Sequence, residues 1–121
     1  MTGMDPRPLT PRERAVLDAL LAAGGPGVAP LRRQAAQVSV VGGCGCGCPS
    51  VDFRPDGGRG MTVRVNAGVR GSHDGLFLYT VEDPQQGEVL GGIEWVGVEG
   101  ADPGELPPPD LLDIHPAVAG A

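Results

Sequence analysis

Leu76-Phe77-Leu78-Tyr79-Thr80-Val81 is the stretch that decides the fold. Its apolar residues fall on both parities. A strand built from it is therefore central, covered on both faces or covered in part by a helix. Asp83-Pro84-Gln85-Gln86-Gly87 follows as a hairpin loop, and Val89-Leu90 and Ile93-Glu94-Trp95-Val96-Gly97-Val98 return beside it. Gly91-Gly92 inside the return run reads as a β-bulge in preference to a tight turn, because strands this long need to bend. Upstream, Met61-Thr62-Val63-Arg64-Val65-Asn66 alternates cleanly, as a half-buried strand does. Val51-Asp52-Phe53 and that strand flank the turn cluster Pro55-Asp56-Gly57-Gly58, which predicts a hairpin between them. Asp52 and Glu94 sit between apolar neighbours and belong on the outer face of alternating strands.

Before residue 38 the period is helical. Thr10 is placed to cap a helix, Pro11 suits its first position and Glu13 completes a capping box. Val16, Leu17, Leu20 and Leu21 supply the buried stripe, and Gly24-Gly25-Pro26-Gly27 ends it. A second, shorter helix is predicted from Pro30 to about Gln37. Leu31 and Ala35 share one face, and Arg32, Arg33, Gln34 and Gln37 form the solvated side. Val38-Ser39-Val40-Val41 starts a strand, and the apolar parity differs before and after Gly42–Pro49, so the ladder should break there.

Helices first and strands afterwards give an α+β class. The predicted architecture is two N-terminal helices packed on a four- to five-stranded, mainly antiparallel β-meander with an extended Pro-rich C-terminal tail. Residues 1–9 read as a flexible leader, 10–100 as a single α+β domain, and 101–121 as a Pro-rich tail, partly docked through Leu111, Leu112 and Ile114.

The chain has 121 residues and a net charge of −6, and every basic residue is arginine. An acidic balance excludes a phosphate-backbone partner, so no nucleic acid is expected. No stretch is long and apolar enough to span a bilayer, which excludes a membrane role by helices. Pro6, Pro8 and Pro11 interrupt any signal-peptide core, and three cysteines do not make a disulfide framework; both point to a cytoplasmic setting.

Those cysteines alternate in Cys44-Gly45-Cys46-Gly47-Cys48, followed by Pro49. On an extended chain the three thiols would share one side. Three readings follow. Small buried thiols pack well under a helix. Three thiolates suit zinc or, better, Cu(I), with His73 as a candidate fourth ligand. A labile disulfide or a nucleophilic Cys48 is the third, although neither His73 nor His115 marks a base beside a thiol. No catalytic constellation is visible: the carboxylates on the strands show no distinguishing spacing, and Gly42-Gly43-Cys44-Gly45 lacks the lysine of a phosphate loop. Trp95 is expected in the core.

Gly45-Cys46-Gly47-Cys48-Pro49-Ser50-Val51, after a capped helix, resembles a group of small uncharacterised bacterial proteins from GC-rich genomes. The resemblance covers the front half best and implies no activity, cofactor or partner, only a self-standing domain. The function expected from the residues is a small non-enzymatic interaction or regulatory module with a protein partner. The alternative is a thiolate metal-binding protein using Cys44, Cys46 and Cys48 with zinc or Cu(I).

Overall fold

The computed structural model describes residues 6–25, 27–43, 48–55, 60–98 and 103–116. Cys44, Cys46 and most of the 55–60 turn lie outside them. Helix α1 (Pro11–Ala22) begins as the sequence predicts: Thr10 Oγ1 accepts from Glu13 N–H at 3.1 Å, and the Glu13 carboxylate accepts from Thr10 N–H at 2.9 Å. Val16, Leu17 and Leu20 are completely buried. Helix α2 (Val28–Ala35) starts two residues before Pro30, because Gly27 at φ +78° turns the chain directly into it. No helix among the described residues is long and apolar enough to cross a membrane.

Six strands follow: β1 (Gly42–Gly43), β2 (Val51–Asp52), β3 (Thr62–Val69), β4 (Gly75–Asp83), β5 (Gly87–Val96) and β6 (Leu112–Pro116). They form one sheet in the order β1-β2-β5-β4-β3-β6, with every pairing antiparallel. The class is α+β, and β4 is internal as its two-sided apolar pattern requires. Only β3-β4-β5 is a meander. The sheet exceeds the four or five strands expected because its two outermost strands carry little hydrophobic signal. β1 is a pair of glycines, and β6 is hidden in the proline-rich stretch.

The expected extended tail is thus, over Leu112–Pro116, a strand hydrogen-bonded to β3. Leu112 and Ile114 fall in register with Val69 and Ala67 and join the same core. A 3-10 turn (Pro109–Leu111) precedes β6, and Leu106, 1% exposed, anchors the segment before it while its carbonyl accepts from Arg12. At the other terminus Arg7 exchanges both backbone hydrogen bonds with Val40, at 2.8 and 3.0 Å, and its guanidinium grips Glu13 at 2.9 Å. Burial pushes the Glu13 carboxyl up, but hydrogen bonds from Arg7 and Thr10 outweigh it and hold the carboxyl below its ordinary value.

The expected hairpin between the 51–53 and 61–66 strands does not form. β3 is already paired on both sides, by β4 and β6, whereas β2 joins β5 through Val51–Ile93 and Asp52–Gly92. Phe53 N–H extends that pairing to Gly91 C=O. β1 and β2 are antiparallel neighbours, so the chain reverses between Gly43 and Val51, as the change of parity indicated. Gly91 is the extra residue of a bulge: Tyr79 faces Gly92 while Thr80 faces Leu90.

Beyond this bulge β5 keeps β4 on one side, but no described strand continues β2 on the other. Gln34 of α2 takes that place: its Nε2 donates to Glu88 C=O at 3.1 Å and its Oε1 accepts from Leu90 N–H at 2.8 Å. The side-chain amide imitates a peptide group of a neighbouring strand. Gln34 is therefore not on a solvated side, as its place among Arg32, Arg33 and Gln37 suggested.

Candidate functional site

Both helices cover one face of the sheet. Leu76, Leu78, Val65 and Ile93 point to them, and Trp95, 7% exposed, lies in that same core. The other face carries Phe77, Tyr79, Val81 and Val89 as a separate small cluster. Tyr79, Val81 and Val89 are only 1%, 3% and 4% exposed, so the accessible part of this face is the part that carries Phe77, Glu94, Val96, Asn66 and His115, over which no described helix or strand lies.

Strand register sets out this open face in rows. Gly42, Asp52, Gly92, Tyr79 and Val63 are cross-strand neighbours from β1 to β3. The next row runs Glu94, Phe77, Asn66, His115. Val96, 43% exposed, stands beyond Glu94 on the same side. Tyr79 does not stand upright from its row. Its ring lies across Gly91 and Gly92, so that a Cβ on Gly91 would collide with the Tyr79 ring and one on Gly92 would stand 2.9 Å from the Tyr79 hydroxyl. The two glycines are what let the ring lie flat. The hydroxyl reaches over β5 and donates to Asp52 Oδ1 at 3.0 Å. Phe77 meets Tyr79 edge-on, with ring centroids 6.3 Å apart.

Among the described residues four carboxylates lie on this face, and two are matched. Asp83 is bound by Arg54 at 3.0 Å and Asp113 by Arg70 at 3.0 Å. Hydrogen bonds from Gln85 and Gln86 N–H, then Arg54, hold the Asp83 carboxyl below its ordinary value. Asp52 and Glu94 are half-buried, and among the described residues no arginine pairs with either. Burial first, and the Asp52 charge second, push the Glu94 carboxyl above its ordinary value. The sequence placed both acids on the outer face. It did not show that they share one electrostatic environment, because β2 and β5 are distant in sequence and their pairing leaves no periodic signal.

Cys48 lies elsewhere. It is half-buried against the helix-side core, as a free thiol whose Sγ donates to Ser50 Oγ at 3.4 Å. Ser50 Oγ in turn accepts from Trp95 N–H at 2.8 Å. Cys48 lines a cleft of about 350 Å³ at the start of α1, with Thr10, Glu13, Ser50 and Glu105. Cys44 and Cys46 lie outside the described residues. His73 sits in the exposed β3–β4 loop and does not line that cleft. Among the described residues, no group of three or more His, Cys, Asp or Glu is gathered closely enough to hold a metal ion.

Comparison with family models, with curated proteins and with solved structures finds no match.

Proposed function

We propose that this protein is a small non-enzymatic interaction module whose contact surface is the open face of the sheet. The observation that carries this reading is the makeup of that face: Phe77 stands across from Glu94 and exposed Val96 beyond it, beside two carboxylates that no described arginine pairs with. An antiparallel sheet left to water normally presents an alternating polar surface. Here aromatic and aliphatic side chains break that alternation and are rimmed by acids, the arrangement that marks a contact surface.

The test is a photo-crosslinking residue placed in vivo at Val96, with Arg33 on the outer side of α2 as control. A single heterologous adduct from position 96 and none from position 33 supports the reading. Equal adducts from both positions, or none from either, removes it.

A thiolate metal site remains the second reading. What supports it is the reversal of the chain between Gly43 and Val51, which confines the three alternate cysteines to one short connection ending at a cleft that also holds Glu13 and Glu105. Near-stoichiometric zinc or copper in purified protein, lost in Cys46→Ser, is its expected signature. Metal-free protein with an unchanged melting temperature discards it.

A further inference from the structure

The open face carries its own specification of what it would accept. Asp52 and Glu94 lie on adjacent strands, and Gly42, which pairs with Asp52 on its outer side, adds no side chain over that half-buried carboxylate. A Cβ on Gly42 would stand 3.4 Å from Asp52 Oδ2, so any side chain there would begin to roof the acid. Tyr79, reaching across β5, satisfies one oxygen of Asp52 and leaves the rest of the carboxylate to an outside donor. Phe77 stands directly across from Glu94 on the neighbouring strand and is only half-buried.

Two nearby carboxylates beside an exposed aromatic ring match a planar, multiply donating cation. Resting on the interaction reading above, we propose that the open face receives an extended basic segment of another protein, with an arginine guanidinium bridging Asp52 and Glu94 and its stem lying on Phe77. Charge complementarity favours this occupant. The protein carries a net charge of −6, and the other two carboxylates of the face already have arginines, Arg54 and Arg70. A supplied arginine completes that pattern. A second copy of the chain is the poorer occupant, since a two-fold contact through this face would bring a second unmatched acid pair into the same dry interface. Arginine fits better than lysine because its fork addresses two carboxylates at once and its plane stacks on a ring.

The experiment titrates the full-length labelled protein with blocked octapeptides of alternating valine and arginine, valine and lysine, or valine and glutamate, at about 50 mM salt so that screening is weak. Amide shifts are followed by NMR. The arginine peptide is expected to shift Asn66, Phe77, Glu94 and Val96 saturably. It should bind more tightly than the lysine peptide, and the glutamate peptide should do nothing. The charge-neutral pair Asp52→Asn and Glu94→Gln should weaken binding by about tenfold or more. These changes relieve repulsion and keep an acceptor for Tyr79, so the variant stays folded, which its unperturbed core amides verify.

Equal affinity for wild type and variant overturns the proposal, as do shifts confined to the helices. Concentration-dependent broadening of the same amides without peptide overturns it in favour of a second copy. If position 96 still crosslinks to a partner while the arginine peptide fails, the interaction reading stands and the arginine assignment falls. Loss of both removes the interaction reading as well.

Discussion

The Tyr79 hydroxyl bonds to Asp52 across an intervening strand, at 3.0 Å, by laying its ring over the bulged backbone of β5. Two features that look independent in the sequence, a glycine pair and a tyrosine twelve residues before it, form one device. The glycines make room, the ring fills it, and the hydroxyl fixes an acid on the open face.

Gly91→Ala is therefore expected to destabilise the fold by about 1–3 kcal/mol, the usual cost of forcing a side chain into filled space. Tyr79→Phe, which removes only the hydrogen bond, should cost about 0.5–1.5 kcal/mol. The two sites touch, so their effects should not add. In a Tyr79→Val background Gly91→Ala should cost little. Denaturant unfolding of the four variants checks this, and an undiminished cost in the Tyr79→Val background would show that the ring is not the obstacle.

Glu94 gives the stability of this face a pH dependence of definite sign. Its carboxyl is raised by burial and by Asp52, so the native protein holds this proton to a higher pH than the unfolded chain does. Stability then falls as pH rises from the unfolded value, about 4.3, through the raised native one, and the full penalty is present at neutral pH. Glu94→Gln should be the more stable protein at neutral pH, by up to about 0.5 kcal/mol, as for other substitutions outside a core. The advantage should vanish below about pH 4, where both chains are neutral at this position. Glu13, held low by Arg7 and Thr10, runs the other way, losing its contribution as pH falls. It is common to both proteins, and the difference between them isolates Glu94. Melting curves of the pair across this range decide the point, and a constant gap at every pH would refute the assignment.

Local signals were legible and pairings were not. The capping box at Thr10 and Glu13, the loop at Asp83–Gly87 and the bulge at Gly91 each depend on residues within a few positions of one another, and each is found. The outer-face placement of Asp52 and Glu94 follows from alternation alone and also holds. Which strand lies beside β2 depends on competition among distant edges. β3 was saturated by β6, a strand whose five residues sit among prolines and gave no run long enough to recognise. Of the proposed metal ligands, Cys48 lines the cleft at the start of α1 and His73 lies in the exposed β3–β4 loop, while Cys44 and Cys46 lie outside the described residues.

The proline-rich segment is structural, and Leu106 tests that. It is 1% exposed, and next to it Pro103 and Pro107 line a cleft shared with Trp95. Leu106→Ala should cost about 2–5 kcal/mol, as for any fully buried leucine. Trp95 is the only tryptophan, so its fluorescence should move to longer wavelength in the native variant as water gains access. A loss below about 1 kcal/mol with unchanged emission would return the segment to the status of a loosely laid tail.

Gln34 makes the sharpest claim of the fold, because a single side chain there closes a stretch of sheet edge. Leu90 N–H and Glu88 C=O have no strand beside them, and the amide supplies an acceptor and a donor in the geometry of a peptide. Gln34→Leu keeps the volume and removes both partners, so two backbone groups lose their bonds while an apolar chain hinders water from replacing it. The expected cost is about 1–3 kcal/mol. Gln34→Glu keeps an acceptor for Leu90 but sets a carboxylate against the Glu88 carbonyl, and should fall between. Hydrogen exchange at the Leu90 amide reads the contact directly: it should quicken in Gln34→Leu by more than the global loss of stability accounts for, since the opening is local. Exchange that tracks global stability alone would mean that the edge is protected by something other than this amide.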